Sequence, residues 1–143
     1  MEILLADENI DTTNLILHTV KIYQPDWNIT NIISGKECLN SIVNGNNPDI
    51  VIIGIQLSDI PELELLEQIR SISDVPIIFL ADNTEINKLV TVFDMGADDY
   101  VSVPFNTAVF IARITAKVRR NIWDINNSQL ELKNKLNALD KYS

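Results

Sequence analysis

The chain has 143 residues, 46% hydrophobic and 22% charged, with a formal net charge of −9. That length supports one ordinary domain, and the composition excludes a disordered or collagen-like chain. No apolar run approaches the ~20 residues of a membrane span, Met1-Glu2-Ile3-Leu4-Leu5 is too short and acidic for a signal peptide, and the lone Cys38 excludes an internal disulfide and a multi-cysteine metal site, so a cytoplasmic location is expected.

Strand-length apolar runs occur at Ile3-Leu4-Leu5-Ala6, Ile29 to Ile33, Ile50 to Ile53, Pro76 to Leu80 and Tyr100-Val101. Three lack polar alternation, as strands buried on both faces of a parallel sheet do. Helical patterns lie between them. The first carries Ile10, Leu15, Ile16, Val20 and Ile22. The second opens at a Ser34/Glu37 capping box, carries Leu39, Ile42 and Val43, and stops at Asn44-Gly45. The third runs from Glu62 with Leu63, Leu65, Leu66 and Ile69. The fourth starts near Asn83-Thr84, carries Ile86, Leu89, Val90 and Phe93, and stops at Gly96. The fifth follows Pro104 with Asn106 as cap and carries Val109, Phe110 and Ile114. Five strands alternating with five helices predict a doubly wound α/β sheet with right-handed crossovers. Sites in such sheets lie at the carboxyl ends of the strands, here Asp7, Glu8, Gly54, Ala81, Asp82, Ser102 and Val103.

Those positions sit in recognisable frames. Ile3 to Glu8, Pro48 to Ile53 with Leu63 to Arg70, Val75 to Leu80, and Gly96-Ala97-Asp98-Asp99-Tyr100 with Pro104-Phe105 resemble a response-regulator receiver domain, closest in form to those of winged-helix transcription regulators. The resemblance covers residues 1–120, leaving 121–143 as a helical extension, and implies a flavodoxin-like, doubly wound five-stranded parallel sheet of order 2-1-3-4-5 with five helices. It implies a module of two-component signalling and a phosphorelay aspartate at the end of strand three. That position is Gly54. The family's hydroxyl after strand four is Ala81, and its lysine before the proline is Val103. Ser58 and Glu62 replace the family's usual proline and glycine. The acidic pair Asp7 and Glu8 remains, with the switch aromatic Tyr100.

In the family such an acidic pair binds Mg²⁺. Without a carboxylate at Gly54 it makes a weak, hydrated site; the plainer reading is a solvated acidic loop in which one acid raises its neighbour's pKa. No metal or cofactor is expected. Asp59 and Asp82 are nearby alternative acceptors without a lysine in register. A phosphatase-like enzyme is disfavoured because Asp7-Glu8-Asn9 lacks a second aspartate. His18, mid-helix, supports no triad, and Cys38 reads as a buried, inert thiol.

Charge and periodicity point to protein partners. Residues 1–112 carry 4 basic and 17 acidic side chains, whereas residues 113–143 carry 7 and 3. So acidic a body repels nucleic acid, and the basic tail reads as a solvated helix face. From Val118, the residues Val118, Ile122, Ile125, Gln129, Leu132, Leu136, Leu139 and Ser143 recur by four and three, a heptad seam with a polar interruption at Gln129. Neither proline nor glycine follows Pro104, so the fifth helix is expected to run unbroken from about Asn106 past Leu136. A parallel coiled coil is favoured over a helix folded back on its own domain. A second dimer face is expected from the resemblance at Lys88, Asp98, Asp99, Arg113 and Lys117, with Arg113 and Asp98 as a testable pair across a two-fold axis and an apolar contact at Val109. The function expected is a non-enzymatic, phosphorylation-independent homodimer controlling an output domain. A small-ligand sensor using the vacated pocket is the alternative.

Overall fold

The computed structural model describes residues 1–82 and 87–140. Five strands, β1 (Glu2–Ala6), β2 (Asn28–Ile32), β3 (Ile50–Ile53), β4 (Ile77–Asp82) and β5 (Asp99–Val103), form one parallel sheet of order β2-β1-β3-β4-β5, as expected. The helices are α1 (Ile10–Tyr23), α2 (Gly35–Val43), α3 (Glu62–Ile72), α4 (Leu89–Asp94) and α5 (Thr107–Asp140). Alternate residues of the central strands feed two cores. Leu4, Val51, Ile53, Ile77 and Phe79 meet Cys38, Leu65, Leu66, Ile69 and Val92 from α2, α3 and α4. On the other face, Ile3, Leu5, Ile50, Ile52, Ile78 and Leu80 meet Ile16 and Val20 of α1 and Phe110, Ile111, Ile114 and Val118 of α5.

Boundaries shift by a residue or two. β2 ends at Ile32, leaving Ile33 exposed, and β4 begins after Pro76 and extends to Asp82. The expected start of the fourth helix at Asn83-Thr84, with Ile86, lies outside the described residues. Helix phase differs more. Ile10 and Ile22 are exposed, while Thr12, Thr13 and Thr19 are buried; the Thr19 hydroxyl donates to the Leu15 carbonyl at 2.7 Å, so its burial leaves no donor unsatisfied. In α4, Val92 turns inward and Val90 and Phe93 outward. Apolar side chains alone do not set the phase when threonine can satisfy its hydroxyl on its own helix.

The caps follow local chemistry. Asn106 accepts the Val109 N–H at 3.0 Å, and α5 then runs unbroken to Asp140, about 50 Å at 1.5 Å per residue. Gly45 and Gly96 take φ values of 96° and 105° in the turns after α2 and α4. Ser34 accepts the Glu37 N–H at 3.2 Å, as half of the expected capping box. Asp59, from the β3–α3 loop, serves the rest of the cap: it accepts the Ser34 hydroxyl at 2.7 Å and the Gly35 and Lys36 N–H groups at 3.0 Å each.

Candidate functional site

The carboxyl ends of β1, β3, β4 and β5 bring Asp7, Gly54, Ala81 and Val103 to one edge of the sheet. Asp7 follows β1 and is fully buried. Its Oδ1 accepts the Asn9 and Gln56 N–H groups at 3.0 and 3.3 Å, and its Oδ2 accepts that of Ile55 at 3.4 Å. Glu8 is half-buried and also faces the β3–α3 loop. It accepts the Ser58 hydroxyl at 2.8 Å and N–H at 3.3 Å, and the Gln56 side-chain amide at 3.2 Å. Glu62, in the first turn of α3, closes the loop from below by accepting the Leu57 N–H at 2.8 Å. The acidic pair is therefore a clasp on residues 55–58. This corrects the expectation of a solvated loop.

Gly54 directly follows β3, and its N–H donates to the Ala6 carbonyl at 2.8 Å. A Cβ placed on Gly54 would overlap the Asp7 carboxyl group. The space beside Gly54 is thus filled by the side chain that follows the adjacent strand. What remains is a hollow of about 40 Å³ walled by Gly54, Ile55, Glu62, Leu63, Phe79, Leu80 and Lys88. Ordinary small-molecule pockets are about 300–1,000 Å³.

Burial raises the Asp7 pKa above its ordinary 3.8, the charge of Glu62 adds to this, and the three backbone N–H bonds oppose it. The expected influence of Glu8 is not among the causes. The native state therefore holds this proton more tightly than the unfolded chain. Stability from Asp7 is complete below the unfolded value and is lost as pH rises through the raised folded value. As pH rises above about 4, wild type should lose stability relative to Asp7→Asn until the raised folded value is passed, as read by urea midpoints at successive pH values. A difference that stays flat over that range would show that burial does not burden Asp7. Asp59 lies well below the usual carboxylate range because the Lys36 N–H and the Ser34 hydroxyl hold its charge. Asp82 ends β4 on the exposed side. Cys38 is fully buried, and burial pushes its thiol up to about 12.

The receiver family's Mg²⁺ does not fit this donor set. Asp7 and Glu8 already accept loop donors on both oxygens, and Gly54 offers no third carboxylate. Among the described residues, no group of three His, Cys, Asp or Glu side chains is placed to hold a metal ion.

The family model for the response regulator receiver domain matches residues 3–115. The chain belongs to the response-regulator receiver family. The receiver is 33% identical over 120 residues to the response regulator protein GraR of Staphylococcus saprophyticus, covering 84% of this chain and 52% of that protein. It is 30% identical over 123 residues to the transcriptional regulatory protein TrcR of Mycobacterium tuberculosis, covering 85% of this chain and 46% of that one. The chain thus spans about half the length of these curated relatives. Among solved structures, the receiver domain of the Francisella response regulator 1452 superposes with a TM-score of 0.71 at 24% identity, over 84% of this chain and 98% of that one. A yeast Spc42 trimeric coiled-coil segment fused to another structure gives 0.82 at 18% identity, over 98% and 88%.

The receiver's other marked residues lie on or next to β4, β5 and the helices beside them. Ala81 is buried, Val103 is half-buried, and they pair in register with Ser102 and Asp82. Tyr100 stacks on Phe79 with ring centroids 6.5 Å apart, and its hydroxyl oxygen is buried. Three of the five charges expected on a dimer face, Asp98, Asp99 and Arg113, are paired within the chain. Asp98 pairs with Arg70 at 2.8 Å, and Asp99, with a side chain only 11% exposed, takes Arg113 at 3.0 and 3.2 Å. Lys88 is exposed and Lys117 half-buried. Within the chain, then, Arg113 is paired with Asp99 and Asp98 with Arg70. Sequence reasoning missed Asp59 as a cap and Glu62 as a loop closure, because both accept backbone N–H groups, which leave no mark on residue type, and the Ser34 hydroxyl that also donates to Asp59 lies 25 residues away in the chain.

Proposed function

We propose that this receiver is a non-catalytic signalling module that does not use aspartyl phosphorylation, and that it acts by dimerisation and protein–protein contact to control an output domain. Residues 1–120 form its receiver body, and 121–143 a helical extension that connects the body to its partners. The observation that carries the reading is the Asp7 carboxyl group lying over Gly54, where an acceptor side chain would stand. Ala81 and Val103 supply neither the hydroxyl nor the ammonium that would stabilise a transferring phosphoryl group. The inward Tyr100 fits a module held in one arrangement.

Acetyl phosphate with Mg²⁺ is expected to leave the intact mass unchanged, and beryllofluoride to shift few amide resonances. A stoichiometric, hydroxylamine-sensitive phosphate adduct would overturn the reading. A ligand-sensing role has little room in a hollow of 40 Å³. The face bearing Lys88, Asp98, Asp99, Arg113 and Lys117 is assigned a smaller part in association than the tail, since exposed ion pairs contribute about 0–1 kcal/mol and two of its acids are already paired. No helix among the described residues is long and apolar enough to cross a membrane.

A further inference from the structure

The exposed stripe of α5 is Ile122, Ile125, Leu132, Leu136 and Leu139, each about half or more exposed. Its direction is fixed by what precedes it. Val118, the first seam position, is buried with Phe110, Ile111 and Ile114 against the sheet. At spacings of three and four, these residues and the stripe occupy one continuous face of the helix. The seam therefore prolongs the surface by which α5 packs on its own receiver. Ile122 and Ile125 accordingly look beneath the sheet, where they and Val118 wall a groove of about 400 Å³ opposite Pro48, Asp49, Asp74 and Pro76.

We infer that the occupant of this groove is the α5 tail of a second copy, running antiparallel. The inference rests on the dimerising reading above and supplies its geometry. A parallel mate in register carries its own receiver on the same inward face, so the two bodies would claim one volume. In the antiparallel sense the bodies lie at opposite ends. The heptad then closes on itself: Ile122 stands opposite the partner's Leu139, Ile125 opposite the partner's Leu136, and Gln129 opposite the partner's Leu132, the reciprocal pairing of a two-fold interface. Charge agrees. Lys133 and Lys135, beside the seam, arrive below the partner's acidic groove with its Asp49 and Asp74. In a parallel coil they would gather against their own copies.

Orientation is read by cross-linking full-length chains on a Cys38→Ala background with a short bismaleimide. Ile122→Cys chains mixed with Leu139→Cys chains should cross-link to each other, and Ile122→Cys chains alone should not. Both sites are more than half exposed, so the fold tolerates the changes. Leu132→Lys should abolish the dimer in sedimentation, and Asp74→Lys should weaken it roughly fivefold at low salt. Self-cross-linking of Ile122→Cys would overturn the antiparallel sense while leaving dimerisation intact. A full chain that sediments as a monomer would overturn the tail as an interface. The phosphorylation reading is tested separately, by the mass measurement.

Discussion

Gly54→Asp is expected to lower stability by about 3–5 kcal/mol and still leave the receiver unphosphorylated by acetyl phosphate. Overpacking a filled site costs about 1–3 kcal/mol. A second carboxylate forced against a buried first one adds a cost of similar size, by desolvation and like charge. The Cβ alone would overlap the Asp7 carboxyl group, so the new side chain must displace Asp7 and with it the N–H bonds that hold residues 55 and 56. Against a total stability of about 5–15 kcal/mol, much of the fold's margin would go. Adding Asp7→Ala to Gly54→Asp should recover part of the loss, because it empties the contested space. Urea midpoints for the single and double variants check this, and a Gly54→Asp chain as stable as wild type would show that Asp7 does not fill the site.

Arg70→Ala should cost about 2–4 kcal/mol, the largest effect expected of any charged side chain in the receiver. The Arg70 guanidinium ties α3 to the loops on either side of it. It donates to the Gly96 carbonyl at 2.9 Å, to the Ser73 and Val75 carbonyls at 3.1 and 2.8 Å, and to Asp98 at 2.8 Å. Asp98 in turn accepts the Ile77 N–H at 2.8 Å, so the network anchors the start of β4. Truncation leaves three carbonyls and a carboxylate to find water in a region where Arg70 is only 22% exposed. Arg70→Lys keeps the charge but lacks the planar fork, and should recover less than half of the loss. A change below about 1 kcal/mol for Arg70→Ala, measured by urea unfolding, would reduce the network to an ordinary surface pair.

Much of the chemistry was legible in residue order. A strand-end position is fixed by counting from an apolar run, so Gly54, Ala81 and Val103 could be placed at strand ends without coordinates, and only the resemblance to receiver domains marked them as site positions. The aspartates were harder. Asp59 was read as a loop acid near the site, and it is a cap on α2, 25 residues from Ser34 in the chain. Arg70 carried no signal as a network centre, because three of its four acceptor groups are backbone carbonyls and its carboxylate partner lies 28 residues away.

By itself, the sequence determined the alternating fold, the residue types Gly54, Ala81 and Val103 at the strand ends, and the unbroken length and heptad period of α5. Each of these follows from local periodicity or from residue type at a counted position. Tertiary structure alone decided that Asp7 fills the space above Gly54, that Asp98 and Asp99 are paired within the chain, which threonines of α1 turn inward, and that Ile122 and Ile125 of the tail wall a groove beneath their own sheet. The reason is physical. Periodicity defines which residues share a face but not what that face meets, and contacts such as Asp7 with Gln56 join residues 49 apart, whose meeting depends on strand order and on how each helix rolls against the sheet.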